Sequence, residues 1–136
     1  MYASYYDKPA KEWSQYAKEI SNGKISSLDN TVLLVLTTNE CSPSIDELKE
    51  WNKFKKLGNA VNVEMIILEK YSTTVKVLLE QENINLTAYQ DSTYKILEND
   101  LLPATPMKVY FGENGEVEKL GRIGGDRDPN KFIDKR

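Results

Sequence analysis

The only cysteine of the chain, Cys41, stands where a thiol can do chemistry. It comes shortly after residues 32–36, a short apolar run that is typical of a strand buried on both faces. Beside it a helix is predicted to begin, with Ser42 as N-cap and Pro43 in the first helical position. The N–H dipoles of a helix N-terminus favour a negative charge. The sequence therefore places Cys41 where its reactive form, the thiolate, is stabilised.

Three acidic residues lie close to Cys41 in the sequence, namely Glu40, Asp46 and Glu47. Their charges oppose a further negative charge on the sulfur and partly cancel the effect of the helix dipole. Asp46 and Glu47 also have a structural explanation, because acidic residues suit the first turn of a helix. Ser44 with Glu47 matches a capping box, the alternative to Ser42 as the cap. We favour the structural explanation for both carboxylates.

Composition excludes several classes of active site. The chain has no histidine, which excludes Ser-His-Asp and Cys-His catalysis and histidine-ligated metals. A single cysteine also excludes thiolate-bound zinc and iron–sulfur clusters. We therefore predict no metal site and no cofactor. The formal net charge is −3 and the basic residues are scattered, so nucleic acid is not expected as a partner.

A length of 136 residues suits one domain, with a core large enough to fold without disulfides or metals. The chain has no apolar run long enough to cross a bilayer and no signal-peptide pattern, so we expect a soluble protein. One cysteine cannot form an intramolecular disulfide. Cysteine usage therefore does not indicate the redox compartment.

Apolar periodicity predicts helices that pack on a sheet. A first helix begins near Pro9 and ends at Gly23. Its apolar stripe consists of Trp13, Tyr16, Ala17 and Ile20. The helix after Cys41 carries a second stripe and ends at Gly58. That stripe consists of Ile45, Leu48, Trp51, Phe54 and Leu57.

Farther along the chain, strands are predicted at residues 61–68, 84–88, 107–111 and 116–120, and helices at residues 73–81 and 92–101. Asn114 and Gly115 carry the signal of a type I′ hairpin turn between the last two strands. Pro129, preceded by Asp128, is expected to open a final helix. Strands that alternate with helices and end in a hairpin predict an α/β fold with a mixed sheet.

Residues 41–44, Cys-Ser-Pro-Ser, resemble the C-x-x-C active-site motif of the thioredoxin-like superfamily, with serine in place of the second cysteine. Later residues extend the resemblance. Thr105 and Pro106 precede the apolar run 107–111, as the cis-proline of the family does, and a glycine pair follows at 124–125. The spacing is most similar to that of TlpA-like and ResA-like thiol-disulfide oxidoreductases.

The resemblance covers the chain from residue 28 to the C-terminus. It implies a thioredoxin-like fold, which is a central mixed β-sheet with helices on both faces. Residues 1–136 are then expected to form a single domain, with residues 1–27 as an N-terminal helical extension. The strand and helix predicted before Pro106 match an insertion that distinguishes the TlpA-like branch.

The resemblance also implies roles for individual residues. Cys41 corresponds to the nucleophile and Ser44 to the resolving position. Thr105 and Pro106 correspond to the loop on which an extended substrate segment docks. The other residues expected to contact that segment are Ser42, Pro43 and Gly124. The structural alternatives are a buried, inert Cys41, a helix-capping Ser44 and an ordinary trans Pro106.

Ser44 is the main departure from the family pattern. A hydroxyl cannot resolve a mixed disulfide, so dithiol turnover is excluded for this chain as it stands. Three explanations are open: a natural C-x-x-S protein that works with an external thiol such as glutathione, a degenerate binding domain, or an engineered Cys→Ser change that traps an intermediate.

We predict disulfide exchange with protein substrates through Cys41, and favour an enzyme of the thiol-disulfide oxidoreductase class. The first alternative is a non-catalytic module that binds a protein partner. The second is a one-cysteine peroxidase, because residues 38–41 match a T-x-x-C pattern. A peroxidase also needs an arginine beside the sulfur, for which Arg122 and Arg127 are the candidates. The resemblance implies a bacterial, extracytoplasmic or periplasmic protein, with a cytoplasmic location left open.

Overall fold

The computed structural model describes residues 3–58 and 60–134. The helices are α1 (Ala3–Tyr6), α2 (Ala10–Ile20), α3 (Ser42–Lys56), α4 (Ser72–Gln81), α5 (Lys95–Glu98) and α6 (Pro129–Phe132). The strands are β1 (Thr31–Thr37), β2 (Asn62–Leu68), β3 (Thr87–Gln90), β4 (Met107–Phe111) and β5 (Val117–Arg122).

The five strands form one mixed sheet in the order β3-β2-β1-β4-β5. β1, β2 and β3 are parallel, whereas β4 is antiparallel to β1 and β5 is antiparallel to β4. Met107 pairs with Val35, so β4 begins at the end of the sheet where β1 finishes. The loop that holds Pro106 therefore lies at the same end of the sheet as the segment from β1 to Cys41.

The central strand β1 is buried on both faces, as its apolar composition predicts. Leu33 and Val35 face one core with α2 and α5, and Trp13 of α2 packs edge-on against Phe111 at 5.1 Å between ring centroids. The opposite face contributes Leu34 to a second core with α3 and α4. The predicted mixed sheet with helices on both faces is confirmed.

The helix predicted over residues 92–101 was too long, since α5 contains only four residues. Asp91 explains why the helix begins late. Its buried carboxylate accepts the N–H groups of Lys95 and Ile96, both at 2.9 Å, and so starts the helix late. Tyr94, the residue before α5, has a left-handed backbone with φ of 60°. Apolar periodicity alone does not detect such a capping acid.

The turn between β4 and β5 is also not the predicted two-residue type I′ turn. That turn requires positive φ at both central residues, whereas only Gly115 has one, at 72°. The Gly115 N–H donates to the Gly112 carbonyl at 3.1 Å, and the Gly112 N–H donates to the Glu116 carbonyl at 2.9 Å. The connection is therefore longer, and the pairing shifts register beside Phe111.

Candidate active site

Cys41 is exposed and is the N-cap residue of α3. The N–H groups of Ser44 and Ile45 donate to its carbonyl oxygen at 3.1 and 3.2 Å. The helix thus begins at Ser42, so the prediction that Ser42 itself is the cap was wrong by one residue. Pro43 lies in the first turn, and both Ser42 and Pro43 are exposed beside the thiol. The exposure of Cys41 rules out a buried cysteine, and the reactivity of its thiol stays a prediction.

Ser44 is buried, with 2% of its surface exposed, and faces the segment after β5. Its hydroxyl donates to the carbonyl of Ile123 at 3.4 Å. The N–H of Ile123 in turn donates to the carbonyl of Pro106 at 3.3 Å. The Thr105–Pro106 peptide bond is cis, and both residues are half-buried. Ile123 therefore connects the start of α3 to the loop before β4.

Gly124 lets the chain after β5 approach α3 closely. Its φ is +100°, and a Cβ atom there would lie 3.1 Å from Ser44 Oγ and 3.3 Å from the Ser44 nitrogen. At Gly125 a Cβ atom would meet nothing within 4 Å. The space left by Gly124 is thus filled by the start of α3 in the same chain. Contact between Gly124 and a substrate stays a prediction.

Beneath the first turns of α3, Glu47 and Lys108 form a buried ion pair. The two side chains are 2.6 Å apart between Lys108 Nζ and Glu47 Oε2, and the residues are 3% and 0% exposed. Glu47 also accepts Trp51 Nε1 at 2.9 Å and the Gly124 N–H at 2.7 Å. Lys108 donates a second hydrogen bond to the carbonyl of Asp126 at 2.8 Å. Paired in this way, the two buried charges satisfy each other and tie α3 to β4 and to the Gly124 segment.

The other two acids near Cys41 also have partners. The Glu40 carboxylate accepts the N–H and the hydroxyl of Thr37, both at 2.8 Å. Asp46 accepts a hydrogen bond from Arg127 at 3.4 Å on the exposed side of α3. Cationic partners therefore offset the charges of Glu47 and Asp46, whereas Glu40, next to Cys41 in the chain, is bound by neutral donors and keeps its negative charge.

Glu69 adds a charged group at the same end of the sheet, directly after β2. Thr38, which follows β1, donates its hydroxyl to Glu69 at 2.6 Å, and the Tyr71 N–H donates at 3.0 Å. These hydrogen bonds hold the pKa of the Glu69 carboxyl below its usual range. The Tyr71 side chain is 60% exposed. The surface next to the Thr38 loop thus carries a fixed negative charge and an accessible aromatic ring.

The sequence pattern does not reveal the Glu47–Lys108 pair, because it indicates that Glu47 is a first-turn acid and a member of a capping box. That interpretation was wrong, because the Ser44 N–H bonds to Cys41 and the Glu47 carboxylate faces Lys108. One signal was available. Lys108 is the single charged residue in the otherwise apolar run 107–111, and a lysine in a buried strand requires an acidic partner.

In the part of the chain that the structure describes, no group of three or more His, Cys, Asp or Glu side chains could hold a metal ion. Across residues 3–58 and 60–134, no helix is both long enough and apolar enough to cross a membrane.

Comparison with solved structures reveals relatives in fold. StoA from Bacillus subtilis superposes with a TM-score of 0.61 at 21% identity, over 74% of this chain and 78% of StoA. A thiol-disulfide oxidoreductase from Bacteroides fragilis gives 0.63 at 16% identity, over 79% and 82% of the two chains. A DsbF homologue from Corynebacterium diphtheriae gives 0.63 at 18% identity, over 82% and 76%. No protein-family model and no curated protein sequence matches the chain.

Proposed function

We propose that this chain, which has the thioredoxin-like fold of these structures, exchanges disulfides with protein substrates through Cys41. One observation carries the proposal. The only thiol is exposed at the N-cap of a long helix, and the next turn of that helix is hydrogen-bonded through Ile123 to the Pro106 loop. A thiol that is accessible and close to helix N–H dipoles is suited to nucleophilic attack on a disulfide.

The exchange takes place in two displacements. The Cys41 thiolate attacks one sulfur of a substrate disulfide, which forms a mixed disulfide and expels the other substrate sulfur as a thiolate. Ser44 cannot displace the substrate. An external thiolate, for which glutathione is one candidate, must attack the substrate sulfur, so that Cys41 leaves as a thiolate and the substrate keeps the external thiol. An extended substrate segment along Thr105, in contact with Ser42, Pro43 and Gly124, would place its sulfur at Cys41.

The Ser44→Cys variant tests this proposal because it supplies the missing resolving thiol. We expect it to form an intramolecular disulfide with Cys41 and to reduce insulin with dithiothreitol as electron donor, measured by turbidity. The wild-type protein and Ser44→Ala are expected to show only the background rate. If Ser44→Cys formed no disulfide and gave no activity above Ser44→Ala, the assignment would be wrong.

A non-catalytic binding module makes the opposite prediction, namely partner binding that is unchanged in Cys41→Ala. The peroxidase alternative gains no support from the arginines. Arg127 bonds to Asp46, and Arg122 lines a cavity at the β5 edge of the sheet.

A further inference from the structure

A cavity of about 410 Å³ lies at the β5 edge of the sheet, separate from the exposed thiol. Strands β4 and β5 form one wall, α6 forms another, and Tyr6 of α1 closes one side. Gly121 and the Phe132 ring form the apolar base of the cavity, and Leu120 also lines it, although its side chain is buried in the core with α2. Its volume is in the range of cavities that bind small molecules. Nothing in the proposed exchange reaction uses it.

The rim of this cavity is cationic, with Lys119, Arg122 and Lys131. Lys131 is paired with Asp126 at 3.4 Å. Lys119 donates to the backbone carbonyl of Asp134, which is a neutral acceptor. Arg122 has no ion pair with any residue that the structure describes. Neither Lys119 nor Arg122 thus forms one of the ion pairs found among residues 3–58 and 60–134, although the whole chain has a formal net charge of −3.

The remaining charged groups of the cavity already have partners. Lys108 reaches the same wall, but its charge is balanced by Glu47. Asp126 is the one carboxylate in the described lining, and it is bound by Lys131. The N–H of Asp128 and the charge of Lys131 lower the pKa of Asp126, so this acid stays ionised and occupied. Asp126 is therefore not free to neutralise Arg122 or Lys119.

Tyr6 supplies a directed hydrogen-bond donor. Its hydroxyl oxygen accepts the N–H of Leu120 at 3.1 Å, which fixes the ring over the cavity. Because a phenol both accepts and donates, the hydroxyl hydrogen of Tyr6 remains available for a ligand. The guanidinium of Arg122 can bind a carboxylate through two parallel N–H groups. Arg122, Lys119 and Tyr6 thus offer three donor groups around an apolar base.

We infer that this cavity binds a small organic dianion, a dicarboxylate with an apolar body. One carboxylate pairs with Arg122 and Tyr6, and the second pairs with Lys119. The apolar body covers Gly121 and the Phe132 ring, which an inorganic anion would leave in contact with water. The inference does not depend on Cys41, and it stands or falls separately from the proposed exchange reaction.

Isophthalate is a suitable probe, because it has two carboxylates on a flat apolar ring. Isothermal titration calorimetry at low salt is expected to show one site in the wild-type protein. Arg122→Gln combined with Lys119→Gln is expected to weaken the affinity by about tenfold or more. The matched control combines Lys11→Gln with Lys76→Gln, which removes the same charge from α2 and α4 and is expected to leave affinity unchanged. Cys41→Ala is also expected to bind like wild type.

Two further ligands separate site binding from general attraction. Dimethyl isophthalate, which keeps the ring but lacks the charges, is expected to bind at least about tenfold more weakly. Inorganic phosphate is expected to bind more weakly than isophthalate because it leaves the apolar base uncovered. The inference is overturned if phosphate binds as tightly, which would indicate an adventitious ion only, or if both double variants lose affinity equally. Thermal unfolding of each variant verifies that the fold is retained.

Discussion

In the proposed exchange reaction, Ser44 decides which steps Cys41 can complete. Under the proposed exchange a second thiol would act from this position, but the residue here is a buried serine whose hydroxyl donates to the Ile123 carbonyl. The first displacement needs only the exposed Cys41 thiol, whereas release of the substrate needs a thiol that residue 44 does not provide. The wild-type chain is therefore expected to accumulate mixed disulfides unless an external thiol is present.

Gly124 offers a single-residue test of how tightly the segment after β5 packs against α3. We expect Gly124→Ala to destabilise the protein by about 1–3 kcal/mol, because φ is +100° and the new Cβ would lie 3.1 Å from Ser44 Oγ. Gly125→Ala is the matched control, since a Cβ there meets nothing within 4 Å. Urea unfolding followed by tryptophan fluorescence measures both changes. Equal stability of the two variants would contradict the close packing described for Gly124.

Among the site residues, the sequence predicts the placement of those whose position follows from their immediate neighbours in the chain. Cys41 follows an apolar run and precedes a helix start, so its position and exposure could be inferred. Glu47 and Lys108 could not be paired, because they are 61 residues apart and meet only when α3 packs on β4. Long-range pairs of this kind depend on the register between elements, which the sequence pattern does not specify.

At the scale of elements, α3 combines the exposed thiol with a buried charge. Its amino end carries Cys41 into solvent, and two turns later Glu47 points into the sheet toward Lys108 of β4. Trp51 on the same face donates to Glu47 and packs against Phe54 at 5.4 Å between ring centroids. The direction of α3, and hence the place of the thiol, is fixed by both apolar and ionic contacts.

A double-mutant cycle on this pair measures how strongly it fixes α3. Lys108→Met leaves the Glu47 carboxylate buried without its cation, and Glu47→Gln leaves Lys108 uncompensated. Each is expected to cost about 3–5 kcal/mol in urea unfolding, because an unpaired buried charge is strongly destabilising. The double variant removes both charges, so its cost is expected to be well below the sum of the two single costs.

The exposed pair of Glu19 and Lys95 provides the control cycle. Its Lys95 Nζ and Glu19 Oε2 atoms are 2.7 Å apart, a distance similar to that of the buried pair. Solvent screens that pair, so the coupling between Glu19→Gln and Lys95→Met is expected to be much smaller. Additive costs for Glu47→Gln and Lys108→Met would show that the two side chains do not act as an ion pair.

Boundaries of elements were predicted where local signals dominate and missed where tertiary contacts decide. β4 and the final helix capped by Asp128 agree with their sequence signals. β3 lies at residues Thr87–Gln90 rather than 84–88, because its pairing with β2 places Thr87 opposite Glu64. Leu57, the last member of the predicted apolar stripe, is 82% exposed at the end of α3. Apolar periodicity does not predict at which residue a helix or strand ceases to pack against the core.

At the scale of the whole molecule, the fold explains why residues distant in sequence meet at one end of the sheet. Parallel β1 and β2 end there, antiparallel β4 begins there, and the segment after β5 returns there. The alternation of strands and helices predicted a mixed sheet, and the structure confirms it. The strand order could not be inferred from periodicity alone, because it depends on which strands pair across the sheet.

The central claim, disulfide exchange through Cys41, is tested most directly by mixing the wild-type protein with an oxidised model peptide. Intact-mass spectrometry would measure the rate at which one half of the peptide is attached, in the folded protein and in a chain kept unfolded by denaturant. We predict a single stable adduct on Cys41 that forms faster in the folded protein and is absent in Cys41→Ser. A folded thiol that reacts no faster than the unfolded one would contradict the assignment of Cys41 as the nucleophile.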